Sequence, residues 1–159
     1  MSWHGSTTVR DRIFASLPYL VPLVTSLSFS SNVFQQFPAL AKVVIPILSP
    51  VLLIYSVLPF ANLIIFFALF FLVVRNEKIL HFIRFNTMQA LLVDILLFIA
   101  ALILPILTQV SGLNLIVVAL SSVVFLGTLT IVIFAVVQSL RGLYAEVPTL
   151  SEAVYMQVR

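Results

Sequence analysis

Residues 75–94 read RNEKILHFIRFNTMQALLVD, and this stretch decides the class of fold. Its cations, Arg75, Lys78 and Arg84, follow directly after ten apolar residues, and a second long apolar run begins after Asn86. A charge step of this size is typical of a membrane surface. At helical rise, Asp94 lies about 12 Å inside the second run. An ionisable group costs roughly 3 kcal/mol there, so a partner or a function is expected for it.

The composition excludes a water-soluble globule. The chain has 159 residues, of which 62% are hydrophobic and 8% are charged, and its mean hydropathy is +1.25. Soluble domains carry about 25% charged residues. A chain of this length holds one domain, so we expect a single membrane domain over 1–159. The net charge of +3 is spread along the chain without a basic face, which favours the lipid bilayer over nucleic acid as a partner.

Four apolar stretches are predicted to cross the membrane, because a spanning helix needs about 20 apolar residues. The predicted spans are 13–29, 51–74, 87–107 and 115–137. The first contains Pro18 and Pro22, so it is expected to be kinked, tilted or re-entrant. Between the first two spans, the segment 32–50 carries Gln35, Gln36 and Lys42 at intervals, which indicates an amphipathic helix at the interface. The expected fold is an all-α integral membrane protein.

The distribution of positive charge predicts the topology. With four spans, seven of the eight basic residues fall on one side of the membrane and only Lys42 falls on the other. The seven are Arg10, Arg12, Arg75, Lys78, Arg84, Arg141 and Arg159. Such an asymmetry places both termini in the cytoplasm, or in the stroma of a plastid. A fifth span over 32–50 with a turn at Pro59 would abolish the asymmetry.

The cytoplasmic tail, 140–159, is predicted to contain a short amphipathic helix. Thr149 and Glu152 have the spacing of a capping box. One face of the helix would be apolar, and it would carry Leu150, Val154 and Val158. An anchor at the membrane surface and a docking element for a partner are the two interpretations of this helix.

Three polar residues of the third span, Asn86, Gln89 and Asp94, form a candidate polar strip. At helical spacing they fall within about 140° of one another. One interpretation is structural, in which hydroxyls of neighbouring helices bind Asp94; the candidates are Ser121, Thr128 and Thr130. In the other interpretation, the strip faces a water-filled or substrate-accessible cavity.

The fourth span carries a second pattern of small and hydroxylated residues at seven-residue spacing. Its members are Asn114, Ser121, Thr128, Ala135 and Gly142. Small residues allow close approach of helix backbones in lipid, and hydroxyl groups provide hydrogen bonds between helices. This candidate seam is interpreted as a packing surface, with the lining of a polar path or an oligomer contact as alternatives.

No set of residues predicts catalysis or metal binding. Cysteine is absent, the four glycines are single, and the membrane spans hold one carboxylate, that of Asp94. The two histidines are distant in sequence, and His4 lies in the N-terminal tail. His81 lies in the predicted cytoplasmic basic loop, which carries Arg75, Lys78 and Arg84, and a solvated side chain is expected there. We therefore expect no catalytic residue, no metal and no cofactor.

The stretch 73–95, VVRNEKILHFIRFNTMQALLVDI, resembles the signature of one family. The family is the twenty-kilodalton subunit of the translocon at the inner envelope of chloroplasts (the Tic complex), with its cyanobacterial and plastid-encoded members. Further similar segments are RIFASLPYLVPL, QQFPAL, FFALFFLVVRN and VQSLRGLYAEVPTLSEAVYMQV. The resemblance implies four membrane helices, with both termini stromal or cytoplasmic. The apparent lack of a transit peptide suggests the cyanobacterial or plastid-encoded type.

The resemblance also implies a function. Plant members are import subunits proposed to line or surround the preprotein pathway, so we expect a non-enzymatic translocon subunit. Its partners would be other membrane subunits or preproteins, with a homo-oligomer left open. It would lie in a cyanobacterial plasma or thylakoid membrane, or in a plastid inner envelope. Two alternatives stay open: a scaffold or assembly factor for other membrane complexes, and a small-solute or ion transporter that uses Asp94.

Overall fold

The computed structural model describes residues 6–158, and all of its regular elements are helices within that range. We number them in chain order: α1 Val9–Phe29, α2 Ser31–Gln36, α3 Pro38–Val57, α4 Ala61–Val74, α5 His81–Thr108, α6 Asn114–Leu140 and α7 Leu150–Gln157. Four of these, α1, α3, α5 and α6, are long and apolar enough to cross a membrane, and α4 is a shorter apolar helix. The all-α class and the predicted number of spans are confirmed.

The first span is irregular, as its prolines predict. Its regular α-helical parts are Val9–Ser16 and Leu20–Ser26, and 3₁₀ turns follow each part at Leu17–Tyr19 and Leu27–Phe29. Pro18 lies in the first of these turns, because a proline inside a helix removes a backbone hydrogen bond and crowds the preceding turn.

A capping box starts this span. The Thr8 hydroxyl accepts from the Asp11 backbone N–H at 3.2 Å, and the Asp11 carboxylate accepts from the Thr8 backbone N–H at 2.8 Å. The two side chains thus satisfy backbone groups that have no partner within the helix. The span begins a turn earlier than the apolar run suggests, since it starts at Val9.

The predicted bounds of the second span, 51–74, are wrong. The spanning helix α3 starts at Pro38 and continues through Pro46 and Pro50 to Val57. It ends there because a residue before proline avoids the helical region: Leu58, which precedes Pro59, is extended, with ψ 113°. Phe60 is then left-handed, with φ 55°, and α4 starts anew.

The predicted interfacial segment, 32–50, is correspondingly shorter. Gln35 and Gln36 lie in α2, a six-residue helix between the first two spans, and the rest of the segment belongs to α3. Prolines inside α3 do not end it, because surrounding groups can satisfy freed backbone groups of a membrane helix. Of the three polar residues on which the prediction rested, only Lys42 lies in the spanning helix α3, near its start.

The core of the bundle consists of α1, α5 and α6. Near one end of these helices, Tyr19 of α1 contacts Asn86 of α5, which also contacts Ser139 of α6. Towards the other end, Phe29 of α1 belongs to a cluster with Leu97 of α5 and Phe125 of α6. Hence α1 and α5 run in the same direction, and α6 returns against them.

Both ends of the described chain lie at the same end of the bundle. Gly142 follows α6 with φ 76°, and a Cβ on it would lie 2.8 Å from the Thr7 hydroxyl and 2.9 Å from Arg12 Nε. Val158 contacts His81 at the start of α5 through its carbonyl oxygen, 3.2 Å from the ring Nε2. Because the two ends lie together, an even number of crossings must separate them. The four spanning helices meet this requirement.

Two predictions for the basic loop are wrong. His81 is half-buried, not solvated, and its Nδ1 lies 3.0 Å from the Tyr144 hydroxyl. Arg84 belongs to the first turns of α5, where it is 8% exposed, and its Nε donates to the Val74 carbonyl at 2.9 Å. A guanidinium at a helix end satisfies carbonyls that lack partners there, which explains its burial. Arg75 and Lys78 are exposed, as a loop position predicts.

The predicted tail helix is present as α7, but its predicted capping box is not. Thr149 has φ 70° and makes no capping bond. The hydroxyl of Ser151 accepts from the Val147 backbone N–H at 2.7 Å instead. Val154 and Val158 of the predicted apolar face are buried, at 0% and 1% exposure. The tail is therefore packed against the bundle through that face.

Candidate functional site

Asn86 holds together the three core helices. Its Oδ1 accepts from the Tyr19 hydroxyl on α1 and from the Ser139 hydroxyl on α6, each at 2.9 Å. Its Nδ2 donates to the Phe82 carbonyl one turn earlier, at 2.9 Å. The side chain has no exposed surface. All three bonds lie in the bundle interior, so Asn86 does not face the lipid.

Gln89, one turn further along α5, connects the same network to the tail. Its Nε2 donates to the Tyr19 hydroxyl at 3.0 Å and to the Ala145 carbonyl at 2.7 Å. Its Oε1 accepts from the Ser151 hydroxyl at 3.0 Å. Tyr19 thus accepts from Gln89 and donates to Asn86, so one continuous set of hydrogen bonds joins α1, α5, α6 and the start of α7.

Asp94 differs from Asn86 and Gln89 in its hydrogen bonding. It is fully buried, yet neither carboxylate oxygen has a hydrogen-bond partner among residues 6–158. Thr25 lies beside it, but the Thr25 hydroxyl donates to the Val21 carbonyl at 3.2 Å. Two of the hydroxyls expected to bind Asp94, those of Thr128 and Thr130, donate to carbonyls of their own helix at 2.8 Å. The expected interhelical bond to Asp94 is absent from the described part of the chain.

The five residues of the candidate seam have different surroundings. Thr128 is 5% exposed and Ala135 is fully buried, and both face the bundle core. Ser121 is half-buried, and Asn114 is exposed at the start of α6. Gly142 lies beyond the helix, against the segment before α1. The middle of the seam therefore lies in the interior, and its two ends do not.

Sequence reasoning found the α5 side of the network and missed its partners. Tyr19, Ser139 and Ser151 lie 67, 53 and 62 residues from the α5 groups that they bind. A tyrosine within an apolar span was a usable signal, because a buried phenol needs a hydrogen-bond partner. The two serines gave no such signal, since a serine in a helix can also bond to its own backbone.

Aromatic rings connect the tail to the start of α5. The Tyr144 and Tyr155 rings lie 5.0 and 4.9 Å from that of Phe85, and His81 stacks on Tyr155 at 6.4 Å. The Tyr155 hydroxyl donates to Glu146 at 2.9 Å. Burial, together with this carboxylate, raises the pKa of Tyr155 to about 12. The ring cluster and the Gln89 bonds fix the tail by two independent sets of contacts.

The network consists of neutral hydrogen-bonding groups. It contains amides, hydroxyls and backbone carbonyls, with no carboxylate, imidazole or ammonium group among its members. Within residues 6–158, no group of three or more histidine, cysteine, aspartate or glutamate side chains could hold a metal ion. Fully bonded buried networks of this kind fix one arrangement of helices.

Comparison with known families decides the identity. The family model described as "Chloroplast import apparatus Tic20-like" matches residues 8–154. The chain belongs to the Tic20 family. The match begins at the capping residue Thr8 and ends at the buried Val154 of α7. It therefore contains all four spanning helices and every member of the hydrogen-bonded network.

Individual Tic20 relatives are similar over almost the whole chain. A Tic20 family protein of Synechocystis sp. is 45% identical over 160 residues, which cover 100% of this chain and 99% of the relative. Protein TIC 20-v, chloroplastic, of Arabidopsis thaliana is 32% identical over 96% of this chain and 73% of the relative. The Tic20 family protein Ycf60 of Gracilaria tenuistipitata is 31% identical, over 95% and 76%.

These findings confirm the resemblance read from the sequence. This Tic20-family chain is an integral membrane protein of the type found in cyanobacterial and plastid membranes. Its family is a translocon component, as the signature around RFNTMQALLVD indicated. That signature coincides with the part of α5 that carries Asn86 and Gln89, so two of its polar residues bind the other helices.

Proposed function

We propose that this Tic20-family chain is a non-enzymatic subunit of a membrane assembly that moves polypeptides across or into a bilayer. The observation that carries the proposal is the family match over 8–154, which includes all four spanning helices and the first part of the tail helix. The composition of the buried network supports the absence of catalysis, because its amides and hydroxyls offer no activated nucleophile. The partners are other membrane subunits and the polypeptide itself.

The packing supports a scaffold with its working surfaces on the outside. Asn86 and Gln89 use their polar groups within the bundle, so we propose a structural role for this part of the polar strip. We likewise propose that the seam residues Thr128 and Ala135 serve helix packing. A polypeptide path would then run along outer faces, such as that of α3, where Ile47 is 61% exposed.

Crosslinking of a translocating polypeptide tests this function. A photoreactive amino acid would replace Ile47 on α3 or Val123 on α6, which are 61% and 66% exposed. In cells that produce a precursor stalled during translocation, we expect a crosslinked product from at least one of these positions. The product would be identified by antibodies to both proteins.

The matched control replaces Leu91, which is fully buried on α5. It should give crosslinks within the chain alone. If the exposed positions reacted with subunits of other membrane complexes and never with the precursor, the proposed role would be wrong. A scaffold or assembly factor would then be the better description.

We propose that both ends of the chain lie on the cytoplasmic or stromal side. The contacts of Gly142 with Arg12 and of Val158 with His81 put the two ends together. The exposed cations Arg75 and Lys78 lie at that same end, and basic residues are retained on the cytoplasmic side. The host membrane would be a cyanobacterial plasma or thylakoid membrane, or a plastid inner envelope.

Cysteine labelling measures this topology directly, because the chain has no cysteine of its own. Asn76→Cys and Gln157→Cys should react with a membrane-impermeant maleimide only from the cytoplasmic face. Ser111→Cys, between α5 and α6, should react only from the opposite face. Labelling of Asn76→Cys and Gln157→Cys from opposite faces would contradict the arrangement.

A further inference from the structure

A groove of about 500 Å³ lies between α1, α3, α4 and α5, within the membrane-spanning region. Its walls are apolar side chains that include Phe14, Leu17, Ile54, Ile65 and Ile83. Phe14, Leu17 and Ile54 are 46%, 49% and 51% exposed, so the groove opens at the outer surface of the bundle. The volume lies in the usual range for ligand sites, roughly 300–1,000 Å³. An apolar cleft that opens towards lipid suits an acyl chain.

Two hydroxyl groups in this groove lack partners. Thr87 and Tyr55 line it, and their hydroxyl oxygens are buried without a hydrogen-bond partner among residues 6–158. Thr87 has no exposed surface at all. Each hydroxyl can donate one hydrogen bond, and leaving it unmade in an apolar medium is costly. The groove therefore presents two donors to a ligand that brings acceptor oxygens, such as the ester carbonyls of a lipid.

The depth of Thr87 agrees with that ligand. Thr87 lies six residues after His81, the first residue of α5, which is about 9 Å at helical rise. The polar interfacial layer on each side of a bilayer is roughly 5–8 Å thick. A carbonyl at the lower edge of that layer can reach Thr87 while the headgroup stays level with the start of α5.

Positive charge flanks the groove at the same end. Arg10 lies over the ring of Phe14, with its guanidinium carbon 5.5 Å from the ring centroid. Lys78 directly precedes Ile79, which also lines the groove. Both cations are exposed. The carboxylates beside these cations in sequence are those of Asp11, which is engaged in the capping box with Thr8, and of Glu77, which is exposed next to Lys78. The two cations outnumber the one carboxylate that is not engaged, which favours an anionic headgroup.

We propose that this groove binds an anionic phospholipid. One acyl chain lies between α1, α3, α4 and α5, the Tyr55 and Thr87 hydroxyls donate to its ester carbonyls, and Arg10 and Lys78 bind its phosphate. The site is separate from the Asn86–Gln89 network, whose residues do not line the groove. The lipid would add contacts between α4 and the helices α1, α3 and α5 that share the groove.

Native mass spectrometry of the detergent-solubilised full chain tests the proposal, with phosphatidylglycerol and phosphatidylcholine as probes. We expect phosphatidylglycerol to remain bound and to raise the unfolding temperature, and phosphatidylcholine to do so much less. The double variant Arg10→Gln/Lys78→Gln should bind phosphatidylglycerol roughly tenfold more weakly, since each cation near an anionic lipid contributes several-fold. Leu17→Trp should fill the groove and remove the bound lipid.

Matched controls separate the groove from non-specific lipid binding. Lys42→Gln removes a cation at the start of α3, and Leu53→Trp adds a ring at a position that is 68% exposed. Both should bind phosphatidylglycerol as the unchanged protein does. Equal binding of the two lipids, unchanged binding by the double variant, or a mass that shows a second copy of the chain in place of the lipid would each overturn the proposal. The double variant changes exposed residues only, so its result stands even if Leu17→Trp does not fold.

Discussion

Replacing Gln89 with leucine is expected to destabilise the bundle and to release the tail. The substitution removes bonds to the Tyr19 hydroxyl, the Ala145 carbonyl and the Ser151 hydroxyl. Interhelical hydrogen bonds in membranes are worth roughly 0.6 kcal/mol each, and a buried group left unpaired costs about 1–3 kcal/mol. We expect the free energy of unfolding to fall by about 2–4 kcal/mol. Thermal unfolding in detergent measures the loss.

Release of the tail gives this prediction a second readout. Limited proteolysis should cleave the Gln89→Leu protein between α6 and α7 faster than the unchanged protein, because Ala145 and Ser151 lose their contacts with α5. Gln109→Leu is the matched control, since Gln109 is exposed at the end of the same helix. It should change neither readout. Equal behaviour of the two variants would show that the network does not hold the tail.

Replacing Asp94 with valine is expected to stabilise the folded protein. Asp94 is buried within a spanning helix, and its carboxylate has no hydrogen-bond partner in the described chain. A buried polar group without partners costs about 1–3 kcal/mol in mutational data. Valine is of similar size and has no such cost. We expect the unfolding free energy in detergent to rise by about 1–3 kcal/mol.

Asp94→Asn is the control for this substitution, because asparagine keeps the shape and a polar group but cannot ionise. It should change stability less than valine does. If valine lowered the unfolding temperature while asparagine did not, Asp94 would have a hydrogen-bonded structural role after all. The stalled-precursor crosslinks of both folded variants test whether the carboxylate contributes to translocation, since an ionisable group within a membrane span usually has a partner or a function.

The sequence by itself determined the membrane class, the number of spans and the family. Apolar runs and charge steps report the transfer of residues into lipid, which depends on each residue's own chemistry and position along the chain. The family signature is likewise local, since RFNTMQALLVD is one stretch of α5. The sequence also identified Asn86, Gln89 and Asp94 as unusual, because polar groups in an apolar helix are costly wherever they fold.

The tertiary structure alone decided which groups these residues bind. Asn86 and Gln89 find Tyr19 and Ser151 because α1 and the tail pack against α5, and no local pattern encodes pairs more than sixty residues apart. The same applies to His81. Its position in the sequence predicted a solvated side chain, but in the folded chain the tail covers it. Asp94 is the converse case: several hydroxyls along the neighbouring spans were eligible partners by sequence. In the packed bundle those hydroxyls donate to carbonyls of their own helices instead. Such a carbonyl, one turn away, is always within reach of a threonine hydroxyl.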